Sequence, residues 1–179
     1  MNGEQVEFLA KNELISIEPN FTEESKFELV AGDFGPFEAG VVTQVPLWMA
    51  LHLKQSHMCR IIPPEWLTFD RMTEILQEQA GEENALSEVP QFYVEIARLL
   101  VEEAADDLGD TDRLKPIIKD LWDNRTSKLR SSVTQFVKEQ QVTASVSNIT
   151  RSEVALFRPV FTEGLLYLSK LQDSLSLTN

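Results

Sequence analysis

The feature that most constrains this chain is a change of hydrophobic period at Val45-Pro46. Before it, VEFLA, LISIEP (ending at Pro19), KFELVAG and VVTQV read as short strands separated by Gly, Asp, Asn and Pro. In LISIE and FELV the apolar and polar side chains alternate, as a sheet with one buried and one wet face requires. GDFGPFEAG, rich in glycine, forms a loop, and its Phe34 and Phe37 rings are expected to cap the small sheet's open core.

From Val45 onward the period is about 3.6. Pro46 suits a helix start, where its missing N–H would be unpaired anyway, and Leu47, Ala50 and Leu51 share a face. That helix must stop before Pro63-Pro64, so CRIIPPEW reads as a stiff, extended connector. Thr68 then caps a second helix bearing Met72, Ile75 and Leu76, which ends near Gly81. A third helix, about Pro90 to Ala105, carries Phe92, Ile96, Leu99 and Leu100. The longest pattern runs near 112–138: Leu114, Ile117, Ile118, Leu121, Trp122, Leu129, Val133, Phe136 and Val137 form one stripe, broken where Arg125 takes an apolar position. At 1.5 Å per residue such a helix approaches 40 Å, and its far end is expected to need a partner's cover. Thr150-x-x-Glu153 reads as a capping box opening a last helix to about Leu171, with Val154, Phe157, Phe161, Leu165 and Leu168, which Pro159 should kink or divide. The fold class is therefore α+β, mainly α: a small β-rich domain over 1–45, then an α-helical bundle domain over 46–179.

Charge narrows the function. The formal net charge of −13 argues against a free-standing nucleic-acid binder, since phosphate neutralisation takes clustered Lys and Arg. The charge is segregated, with residues 67–110 strongly acidic and 111–179 mildly basic. A single cysteine implies no dependence on disulfides. No run approaches a membrane span and no signal-peptide pattern opens the chain, so a soluble, non-secreted protein without membrane contact is expected.

The chemistry-bearing residues are sparse. His52, His57 and Cys59 lie within eight residues, but on a helix the two imidazoles would stand about 140° apart, whereas helical metal pairs use i, i+4. Zinc would also need further ligands, and a Cys–His nucleophile would need an orienting third group. Cys59 reads instead as a small buried hydrophobe. The glycine-rich loop leads into a strand and carries Asp33 and Glu38, which excludes a phosphate cradle. Asp106-Asp107 and Glu102-Glu103 read as solvated charge. No cofactor, metal or catalytic constellation is expected.

VPLWMALHLKQSHMCRIIPPEWL, a short acidic helix, QFYVEIARLL and KDLWDNRTSKLR follow one another in an order that resembles the Psf-two subunit family of GINS, the four-subunit assembly of eukaryotic DNA replication. The opening VEFLA, PNF and GDFGPF add to the resemblance, which spans nearly the whole chain. It implies a small N-terminal β domain before a helical domain, and a non-enzymatic nuclear subunit. Its partners would be the three other GINS subunits, and through them the MCM motor and a RecJ-like scaffold protein of the replicative helicase, with DNA contact indirect or weak. Positions matching the family's pattern that become assembly candidates are Trp48, Arg60, Pro63, Pro64, Glu65, Trp66, Trp122, Arg125 and Lys128. Val133 and Phe136 join them from the far end of the long stripe. The competing reading is an acidic helical adaptor unrelated to replication, which would remain monomeric alone.

Overall fold

The computed structural model describes residues 3–30, 32–81, 86–139 and 147–176, with side chains to residue 135 in the longest helix and, apart from residue 161, to residue 164 in the last. The chain opens with helix α1 (Gly3–Ala10), not with a strand at VEFLA. Val6 and Ala10, four apart, are buried while Phe8 is exposed, so the segment follows helical spacing and the alternation that suggested a strand is incidental. Strand β1 (Leu14–Pro19) follows, then β2 (Phe27–Leu29), β3 (Gly32–Phe34) and β4 (Thr43–Pro46). Helix α2 (Leu47–Gln55) starts directly from β4 with Pro46 at its N-cap, where the period changes.

CRII is more than a connector. Cys59–Ile62 forms β5, which pairs antiparallel with β1, opposing Ile17 to Ile61 and Pro19 to Cys59. β1 is thereby the central strand of a sheet ordered β4-β1-β5, and Ile15 and Ile17 point from it into the core. β2 and β3 form a separate two-stranded ribbon, so FELV is not the half-buried strand its alternation suggested, and all three β2 residues are exposed. GDF, read as loop, supplies the ribbon's second strand. Phe37 does cap the core: its ring is fully buried, 5.4 Å from Phe21 and 5.8 Å from Phe27. Gly35 makes this possible with φ of 105°, and a Cβ there would stand 3.3 Å from the Phe37 ring.

The helical part comprises α3 (Phe69–Gly81), α4 (Tyr93–Glu103), the single turn α5 (Ala105–Leu108), α6 (Thr111–Glu139) and α7 (Arg151–Ser176). Thr68 accepts the Arg71 N–H at 3.4 Å, an N-cap on α3. The third helix is shorter than expected because Ala104 leaves helical geometry (φ −135°, ψ 34°). α7 runs through Pro159 undivided.

Three apolar clusters hold the fold. The first joins the sheet, α1 and α2 to Phe92, Ile96, Ala97, Leu99 and Leu100, so the β layer and α4 share one core. The second packs Met72 and Ile75 of α3 against Tyr93, Leu114 and Leu121. The third is small: Leu86, Leu129 and Phe157, with Val133 and Ile149 against them. Much of the α6 stripe is therefore spent inside the chain.

Candidate assembly surface

Arg125 interrupts an apolar stripe, and the reason lies across α6 from it. Its side chain is fully buried, and so is that of Glu153. Nε donates to Glu153 Oε1 at 2.6 Å and Nη2 to Oε2 at 3.0 Å, a two-point pairing that suits the planar guanidinium. Nη1 donates to the Ser87 carbonyl at 2.7 Å and lies 3.4 Å from Gln79 Oε1, while Nη2 also donates to the Asn148 carbonyl at 2.7 Å. Gln79 Oε1 accepts from the N–H and hydroxyl of Ser87, each at 2.9 Å. A buried charge is tolerable when paired and its remaining donors are used, and here they are. One residue thus ties together α3, the segment before α4, α6 and the entry to α7.

Glu153 does double duty. Its Oε2 accepts the Thr150 N–H at 2.8 Å while the Thr150 hydroxyl faces the Glu153 N–H at 3.4 Å, the capping box read from the sequence. Ser152 donates to the Glu95 carboxylate at 2.8 and 2.9 Å, fastening α7 to α4 as well. Lys128 donates its ammonium to the Gln79 carbonyl. Arg125 and Lys128 therefore face α3 and Ser87, within the chain's acidic middle. Arg125 has no surface to offer a partner. The buried Tyr93 ring lies 5.9 Å from the guanidinium, and burial raises its hydroxyl's pKa.

The other candidates divide by place. Trp66 packs against both larger clusters, and Pro63 and Pro64 beside it are half-buried, so this stretch lines the seam between the β layer and the helices. Glu65 is exposed there. The seam also contains a residue that sequence reading took for solvated charge: Asp107 accepts the Ile61 N–H at 2.8 Å and the Lys54 ammonium at 2.8 Å, with Arg60 at 4.0 Å. Its carboxylate clamps α5 to β5 and α2. Arg60 keeps most of its side chain in solvent. Trp48, half-buried, meets Phe34 edge-on at 6.5 Å. Val133 is half-buried against the third cluster, whereas the side chains of Phe136 and Val137, and of Phe161, Leu165 and Leu168 in α7, lie outside the described residues.

The histidine–cysteine stretch has a different geometry from the helical one assumed for it. α2 ends at Gln55, and His57 sits at φ of 57° in the turn before β5, with both imidazoles exposed. Cys59 is buried as expected, its Sγ 3.7 Å from the Ala50 carbonyl, and burial pushes its thiol up to about 11, away from thiolate chemistry. Among the described residues, no group of three or more His, Cys, Asp or Glu side chains is placed to hold a metal, and no helix is long and apolar enough to cross a membrane.

What remains open is the distal part of the two longest helices. On α6, Arg130, Ser131, Ser132, Thr134 and Gln135 are all exposed, leaving Val133 as the one half-buried residue of that stretch. On α7, Glu153 and Phe157 face inward while Val154, Leu156 and Val160 are exposed at 43%, 46% and 54%. Beyond Phe157 the described side chains are almost all exposed. Among the described residues, the exposed apolar surface beside the small third cluster is therefore that of α7, with half-buried Val133 across from it on α6.

The family model for the PSF2 N-terminal domain matches residues 2–62, and that for the GINS complex protein helical bundle domain matches residues 66–172. The DNA replication complex GINS protein PSF2 of Xenopus laevis is 39% identical over 175 residues, spanning 98% of this chain and 94% of that protein. The protein of the same name from Homo sapiens is 37% identical over 175 residues, with the same coverage. That of Schizosaccharomyces pombe is 33% identical over 168 residues, spanning 94% of this chain and 89% of that protein. With nearly its whole length matched in this way, the chain belongs to the PSF2 family of GINS subunits.

Proposed function

We propose that this chain works as a non-enzymatic subunit of the heterotetrameric GINS complex in DNA replication. It acts in the nucleus, joined to three other GINS subunits, and through the tetramer it helps hold the MCM motor and a RecJ-like scaffold protein in the replicative helicase. DNA contact is indirect or weak, in keeping with the net charge of −13. The family membership underlies this reading, and the observation that carries it is the exposed apolar surface of α7 at Val154, Leu156 and Val160. Surfaces of obligate partners resemble a divided core, and the exposed Leu156 and Val160, which flank the inward Glu153–Phe157 stripe of α7, are one half of such a core. The seam residues, with Asp107 as clamp, fix the β layer against the bundle so that the subunit meets its neighbours as one body.

Co-expression with the three other GINS subunits, followed by light scattering, tests this directly. One copy of each chain in a single tetrameric species is the expected result. A monomeric chain beside three subunits that assemble without it would favour the unrelated adaptor.

A further inference from the structure

We infer that the groove between α4 and the first half of α6 receives an acidic amphipathic helix from another GINS subunit; this rests on the reading of the chain as a GINS subunit. The groove measures about 590 Å³ and is walled by two helix faces. Val94, Ala97 and Val101 stand at i, i+3 and i+7 on α4, and Ile118 and Trp122 at i and i+4 on α6. Ala97 is fully buried and, being small, leaves a depression between larger neighbours. Such paired ridges are what a third helix packs its own side chains between. Trp122, half-buried on the wall, is the type of residue that anchors protein interfaces.

Charge selects the occupant. Arg98 is engaged by Glu7 and Glu102, so the α4 wall is internally balanced. Lys115 and Lys119 on the α6 wall are different: neither ammonium has a carboxylate within 4.0 Å among the described residues. Like charges at i, i+4 repel, and a bare lysine pair is conspicuous in a chain with 29 acidic and 16 basic residues. A helix with apolar residues toward the groove and Asp or Glu along its flank would satisfy both features. Nucleic acid fits less well, because the walls are apolar and Glu102 lies among them. The groove is also separate from the distal surface: Lys119 and Val133 are about 20 Å apart along α6. A closed tetramer requires each subunit to meet more than one neighbour, and two separated surfaces provide for that.

The test compares lysine acetylation by mass spectrometry in the free chain and the co-expressed tetramer, together with zero-length carbodiimide cross-linking of the tetramer. Lys115 and Lys119 should react at least tenfold more slowly in the tetramer and form adducts with Asp or Glu of another subunit. Unchanged acetylation in an intact tetramer would overturn the groove assignment and leave the GINS reading standing. Protection without a carboxylate adduct would overturn the acidic partner, as would protection that appears only on adding duplex DNA. If no tetramer forms, the assembly reading fails and this inference fails with it.

Discussion

Replacing Arg125 with methionine is expected to destabilise the isolated chain by roughly 3–5 kcal/mol, because it strands the fully buried Glu153 carboxylate without its cation. For a domain of this size that corresponds to a fall in Tm of about 10 °C or more. The single change Glu153→Gln should cost a similar amount, since it leaves a guanidinium buried against neutral acceptors and weakens the cap on α7. The double variant separates pairing from packing. With both charges gone, its loss should be well short of the sum of the two single losses, a coupling of about 1–3 kcal/mol. Thermal melts of the four proteins check this, and a cost below about 1 kcal/mol for Arg125→Met would mean that the network does not hold the bundle together. An Arg125→Lys variant should recover little, because an ammonium cannot reach Glu153, Ser87 and Asn148 together.

The second large effect is on assembly. Leu156→Asp with Val160→Asp places two charges along the flank of the inward stripe of α7, where both native side chains are about half exposed in the isolated chain. The melting behaviour of the free subunit should hardly change, within about 0.5 kcal/mol per site for surface positions. In the complex the same carboxylates would be desolvated without partners, at several kcal/mol, so affinity for the other three subunits should fall by a hundredfold or more. Co-purification measures the second quantity and circular dichroism the first. A variant that assembles normally would remove this exposed flank of α7 from the joining surface.

The elements that were legible in the sequence are those whose pattern is long or chemically marked. The start of α2 at Pro46, the Thr68 cap, the stripe of α6 and the Thr150-x-x-Glu153 box could all be read from local spacing. α1 could not, because over eight residues a single exposed phenylalanine makes helical and alternating patterns indistinguishable. β5 was hidden by the prolines after it, which mark the end of an extended segment but not its pairing with a strand some forty residues earlier. Long-range polar partners were hidden too. Arg125 announced itself by breaking a stripe, yet nothing local pairs it with Glu153, 28 residues away, or marks Gln79 and Ser87 as members of the same network. Asp107 was concealed by its neighbour: an Asp-Asp pair reads as solvated charge, while the turn of α5 aims only the second carboxylate at Ile61 and Lys54. In each case the missing information was which segments fold against one another, and that is set by the apolar clusters.

Amide hydrogen exchange at residues 130–135 and 156–164 tests most directly whether the distal parts of α6 and α7 wait for a partner. Backbone amides on helices with little packed cover open at low free-energy cost, so in the isolated chain these should exchange far faster than those around Leu121 and Ile96. In the co-expressed GINS tetramer they should slow by at least tenfold, while amides of β1 and β5 remain as protected as before. Equal exchange at 130–135 and 156–164 in the free chain and in an intact tetramer would contradict the assignment of this surface to assembly.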